Sequence, residues 1–171
     1  EAAPGDFQTV QGLLQAAADT NNASLRTEYQ LEAAKRLQNK GDYPSAGQLL
    51  QAIQPGSLGQ DAEALYLWLR ARDLVNRGFR EEAETLAGRI PPDLPSRLPA
   101  EEKAQAVKDL ASLYELANRP LKAFRALVLG YAVIDEPDWQ PHNQRIWEAL
   151  KSLPDDRLSN AQQVIDHWSI S

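Results

Sequence analysis

Apolar residues recur along this chain at three- and four-residue steps with polar residues between them, the spacing of a helix buried on one side. Leu31, Ala34 and Leu37 show it early, followed by Leu49, Leu50 and Ile53. Leu65, Trp68, Leu69 and Val75 carry it through the middle. Leu110, Leu113, Tyr114 and Ala117, then Phe124, Leu127, Val128 and Tyr131, carry it late. Period-two alternation is scarce, and β-branched residues are thin outside 128–134. Strong helix formers (Ala, Leu, Gln, Glu and Arg) dominate. The pattern predicts an all-α chain of about nine helices with no sheet.

Proline and glycine punctuate these segments. Pro44, Pro99, Pro120 and Pro141 fit first-turn positions, where the missing N–H costs nothing. Gly41 and Gly78 fit the left-handed residue that closes a helix. Ser57-Leu58-Gly59-Gln60 and Ser159-Asn160-Ala161-Gln162 have the spacing of a capping box. The acidic pairs Glu81-Glu82, Glu101-Glu102 and Asp155-Asp156 are expected in first turns, facing the positive end of a helix dipole. The stretch from Pro91 to Pro99 holds four prolines in nine residues and reads as a rigid connector, too short for a domain boundary.

Three joints repeat one pattern. The first is Ala34-x-x-Leu37-x-x-x-Gly41-x-x-x-x-Ala46-x-x-x-Leu50. The second is Ala71-x-x-Leu74-x-x-x-Gly78-x-x-x-x-Ala83-x-x-x-Ala87. The third is Ala111-x-x-Tyr114-x-x-x-Asn118-x-x-x-x-Ala123-x-x-x-Leu127. Small alanines on either side of a turn let two helices approach closely. The Gly, or Asn in the third copy, takes the positive φ that ends the first helix.

These residues resemble tetratricopeptide repeats, most closely at Gly41-Asp42-Tyr43-Pro44-Ser45-Ala46. The copies depart from that family in period, 37 residues from Gly41 to Gly78 and 40 from Gly78 to Asn118, against about 34. The early aromatic of the first helix is replaced by Gln30 and Leu67. The resemblance implies a degenerate, tetratricopeptide-like helical-hairpin solenoid, right-handed as in that family.

A second resemblance covers nearly the whole chain. A short helix with Leu13-Leu14, then Gln30-Leu31-Glu32-Ala33-Ala34, the repeats, and finally Asn143-Gln144-Arg145-Ile146-Trp147-Glu148-Ala149-Leu150 follow one another. This order is similar to the amino-terminal domain of the LpoA family, outer-membrane lipoprotein activators of penicillin-binding proteins. The resemblance implies a periplasmic location and a lipid anchor preceding the domain. It also implies a further domain after it that reaches a class A penicillin-binding protein, with peptidoglycan strands as a further contact.

Composition narrows the chemistry. Eighteen Lys+Arg against 24 Asp+Glu leave the 171-residue chain at −6, without a basic block, which argues against a nucleic-acid surface. Cysteine is absent, removing disulfides, thiolate metal sites and cysteine nucleophiles. The longest apolar run, Leu127 to Ile134, is eight residues, far short of a membrane span. Position 1 is not methionine and Glu1-Ala2-Ala3-Pro4-Gly5 reads as a linker, so the chain is expected to be a piece of a longer protein. Residues 1–5 are then linker, 6–168 a single helical domain and 169–171 a tail.

Nothing in the sequence assembles into catalytic chemistry, and no cofactor or metal site is expected. His142 and His167 have no partners at ligand spacing and read as surface or capping residues. Trp68 and Trp147 lie in strong helical patterns and are expected in the core. Trp139 falls in a proline-flanked loop, as a lid over the last helices or as a partner contact. Trp168 is expected to pack on the last helix or on a following domain. In a tetratricopeptide-like array the first helices would line an inner wall bearing Lys35, Asn39, Arg72 and Asn76, replaced by Ser112 and Leu116 in the third copy. That wall is either a solvated face or a groove for an extended peptide or acidic polymer.

The function expected is a non-catalytic scaffold, spacer and interaction domain. Two alternatives stand beside it: a free-standing adaptor binding a peptide in its groove, and the helical superstructure of a lytic cell-wall enzyme.

Overall fold

The computed structural model describes residues 8–170, with side chains to residue 167. The expectations for Trp168, the linker at 1–5 and the tail at 169–171 therefore lie outside what it describes, except for the helical backbone through 170. Among the described residues there are nine α-helices and no strand. They are α1 (Val10–Asp19), α2 (Ala23–Asn39), α3 (Tyr43–Ala52), α4 (Gln60–Arg77), α5 (Arg80–Ala87), α6 (Ala100–Leu116), α7 (Pro120–Leu129), α8 (Trp139–Lys151) and α9 (Leu158–Ile170). The chain clusters into two compact units, the first ending at Asn76 and the second beginning at Arg77.

In the first unit α2 packs on both α1 and α3. Helix α1 starts where the Thr9 hydroxyl accepts from Gly12 N, and α2 where Asn22 accepts from Leu25 N. The turn between α2 and α3 shows why the repeat has its residue types. Gly41 sits at φ 85°, and the Asp42 amide reaches back to the Leu37 carbonyl at 2.8 Å. That six-residue closure satisfies a carbonyl the helix end would otherwise leave unpaired. Asp42 then caps α3, its carboxylate accepting from Ser45 N and its carbonyl from Ala46 N. Ala34 and Ala46 are completely buried on the two sides of the turn, as are Leu31 and Leu50. Gln38 is the polar exception: its amide donates to the Leu69 carbonyl at 2.8 Å and ties α2 to α4.

The second unit repeats that closure at α6 and α7. Asn118 is the one non-glycine at positive φ among the described residues, at 55°. The Arg119 amide bonds the Tyr114 carbonyl at 2.8 Å, and Ala123 N bonds Arg119 O, matching the first turn step for step. Ala111 and Ala123 are buried. In the middle copy Gly78 has φ 69°, and Ala71 and Ala83 are each wholly buried. The Pro91–Pro99 connector contains a short 3-10 turn at Leu94–Arg97 and buries Leu94 and Leu98, packing on α6. Helices α8 and α9 close on α7 through Phe124, Val128, Leu153 and Ala161, with Ile146, Leu150 and Val164 alongside.

Several expectations need correction. Neither proposed capping box forms. The Ser57 hydroxyl turns back to the Gln54 carbonyl at 2.8 Å, inside a 3-10 turn. Ser159 lies within the first turn of α9, and Gln162 donates to Asp166 instead. At the first place the 3-10 turn engages the serine, and at the second the helix has already begun at Leu158, so the serine is not at its cap. Pro99 is the residue before α6, not inside it, and Asp155-Asp156 lie in a 3-10 turn ahead of α9. Trp147 is 56% exposed: the buried stripe of α8 runs through His142, Ile146 and Ala149, and Trp147 points one residue-step round from it. His142 is only 3% exposed, because that stripe carries it inward.

Candidate functional site

Of the residues expected along a polar wall, Asn39 and Arg72 meet in the first unit. Asn39, in the last turn of α2, accepts a hydrogen bond from Arg72 Nη1 of α4 at 3.2 Å. The Arg72 guanidinium lies over the Trp68 ring, 5.3 Å from its centroid. Trp68 is 3% exposed, so the indole is core, as expected, and only its face supports the cation. The i, i+4 spacing of Trp68 and Arg72 makes this stacking local to α4. The contact to Asn39 adds a second hydrogen bond between α2 and α4, beside the buried one from Gln38 to the Leu69 carbonyl.

Lys35 lies one turn before Asn39 and is half-buried, its ammonium 2.9 Å from Glu32. Asn76 is exposed one turn beyond Arg72. Behind the wall, Arg70 stands 3.6 Å from the carboxylate of fully buried Asp73. The surface thus offers one amide–guanidinium pair on an aromatic base, flanked by a lysine already engaged with a carboxylate. The chemistry these residues offer is hydrogen bonding.

The third copy differs. Ser112 is covered within its own unit by Arg145 of α8, whose Nη2 donates to the Ser112 hydroxyl at 2.8 Å and whose Nη1 donates to the Lys108 carbonyl. Arg145 also lies 3.5 Å from Glu115. No repeat spacing marked Arg145 in the sequence. Its only signal was a cation on the edge of the α8 apolar stripe.

Trp139 is the first residue of α8, not a loop residue. Its indole N–H donates to the Ile134 carbonyl at 2.9 Å, and its ring stacks on Tyr131 with centroids 5.8 Å apart. It remains 40% exposed, so it covers the α7–α8 corner while leaving a face outward. His167 is exposed on α9. Among the described residues no group of three or more His, Asp or Glu could hold a metal ion. No helix among them is long and apolar enough to cross a membrane.

No protein-family model matches the chain. No curated protein matches it by sequence. Solved structures do. The LpoA N-terminal domain from Haemophilus influenzae superposes with a TM-score of 0.53 at 17% identity, over 92% of this chain and 71% of that one. Full-length LpoA from Haemophilus influenzae, in a monoclinic form, gives 0.54 at 17% identity over 89% of this chain. The likeness at this identity is one of fold, and the chain spans 27% of the full-length protein it matches.

Proposed function

From that shared all-helical fold we propose that this chain is a non-catalytic spacer and interaction domain. It belongs, on this reading, to a periplasmic, outer-membrane-anchored lipoprotein that stimulates a class A penicillin-binding protein in peptidoglycan synthesis. The observation that carries the reading is the fold likeness over nearly the whole chain. The identical closures at Gly41 and Asn118 support it physically. Each replaces a flexible joint by a hydrogen-bonded corner with buried alanines on both sides. Helix pairs locked this way are stiff, and a stiff domain holds a neighbouring module at a set distance from an anchor. A partner would be reached through that module, and glycan strands would be met along the way.

The test uses the full-length protein in a glycan-polymerisation assay with membrane-anchored activator and a purified class A penicillin-binding protein. Replacing residues 8–167 by a flexible Gly/Ser linker is expected to abolish stimulation, and an unrelated rigid helical repeat of equal length to restore it. Stimulation that survives the flexible linker would overturn the spacer role. Glycan cleavage by the isolated chain would overturn the non-catalytic one and favour the lytic-enzyme alternative.

A second reading rests on the Asn39–Arg72–Trp68 cluster. Here the wall of Lys35, Asn39, Arg72 and Asn76 grips an extended peptide, with Trp139 as a separate partner contact. Arg72→Ala is then expected to abolish co-purification of a peptide-bearing partner while the thermal midpoint stays within a few degrees.

A further inference from the structure

We propose that a cleft in the second unit, between the proline-rich connector and the α6–α7 hairpin, is a binding site for a free anionic amphiphile. The ligand class is a single hydrocarbon chain ending in a carboxylate. The cleft encloses about 430 Å³, within the roughly 300–1,000 Å³ of small-ligand sites. Its inner lining includes Ile90, Val107, Leu110 and Val133, with connector prolines along one side.

Gly130 shapes that lining. A Cβ there would run into the Val107 side chain, reaching 2.8 Å from Cγ2, so the bare glycine lets the end of α7 close on α6. The apolar surface is continued outward by Leu129, which is 40% exposed.

The rim carries the charge. Lys103, Lys122 and Arg125 all line the cleft, and among the described residues none of the three stands in an ion pair. Lys122 instead lies 5.9 Å from the centroid of the Tyr114 ring. The one carboxylate in the lining, Asp93, is held by Arg97 through contacts of 3.2–3.3 Å. In a chain of net charge −6, three uncompensated cations round one apolar hollow attract an anion. Burial raises the Tyr114 phenol above its ordinary range, although Arg125 pulls the other way. The phenol therefore stays protonated and can donate to a carboxylate.

A hydrocarbon tail suits the lining better than a peptide. Peptide N–H and C=O groups laid on those side chains would lose water without gaining partners. A tail has no such groups, and only its head must meet the rim.

The experiment is calorimetric titration of decanoate, below its micelle concentration, into the protein at pH 7.5. Decanoate is expected to bind one to one, with each methylene removed weakening it about fourfold. Decyltrimethylammonium, the cation of equal length, is expected to bind at least tenfold more weakly. The double variant Lys122→Gln, Arg125→Gln changes two exposed side chains and is expected to weaken decanoate about tenfold at an unchanged thermal midpoint. Leu129→Glu, also at an exposed position, is expected to weaken it further. Equal affinity for the cationic chain, absence of saturable decanoate binding, or tighter competition by an apolar pentapeptide would each overturn the proposal.

Discussion

His142 Nε2 lies 2.8 Å from the carbonyl oxygen of Leu127, joining α8 to α7 inside the second unit. A carbonyl only accepts, so Nε2 carries the proton and donates. The other ring nitrogen, Nδ1, is buried without a hydrogen-bond partner among the described residues. Protonating it would place a charge on a nitrogen withdrawn from water and without an acceptor. Burial accordingly lowers the His142 pKa below 6.5; the Leu127 bond opposes this, and Lys108 and Arg145 add to it.

Stability should therefore depend on acid. Between the ordinary histidine pKa, about 6.5, and the lower native value, the unfolded chain binds more protons than the folded one. The contribution is complete above about pH 6.5 and is lost as the pH falls through that window. Urea midpoints measured from pH 8 to pH 5 are expected to drop below pH 6.5. His142→Gln, which retains an amide donor, is expected to flatten that part of the profile.

The three helix-closing residues should respond to one rule with opposite signs. A Cβ at Gly41 or Gly78 would meet nothing within 4 Å, so alanine there is opposed only by backbone strain. Gly41→Ala and Gly78→Ala are each expected to cost about 1–2 kcal/mol. Asn118 already bears that strain, and Asn118→Gly is expected to gain about 0.5 kcal/mol. Chemical denaturation of the three variants checks all of these.

Gly130 is constrained by space instead, since its φ is ordinary. Gly130→Ala is expected to cost about 1–3 kcal/mol through overlap with Val107. Adding Val107→Ala should make the combined loss smaller than the sum of the single losses, and a double-mutant cycle measures that coupling.

The tryptophans separate by burial. Trp68→Ala is expected to cost about 3–5 kcal/mol, the scale of removing a large core side chain. Trp147→Ala, at 56% exposure, should stay within about 0.5 kcal/mol of the parent. A thermal-melt comparison of the two variants decides it.

The sequence by itself determined the class of the fold and its corners. Helical periodicity, alanines at fixed offsets and a Gly, Gly, Asn series are local properties, and local backbone sterics make them legible: all three residues do take positive φ. The buried alanines Ala34, Ala46, Ala111 and Ala123 follow from the same spacing. Tertiary structure decided the rest. Whether Trp147 or His142 turns inward depends on one residue-step of helix rotation, which is set by how α8 packs on α7. The Asn39–Arg72 bond and the cationic rim round Val107 join residues far apart in the chain. Their meeting depends on packing between helices, which no local spacing encodes.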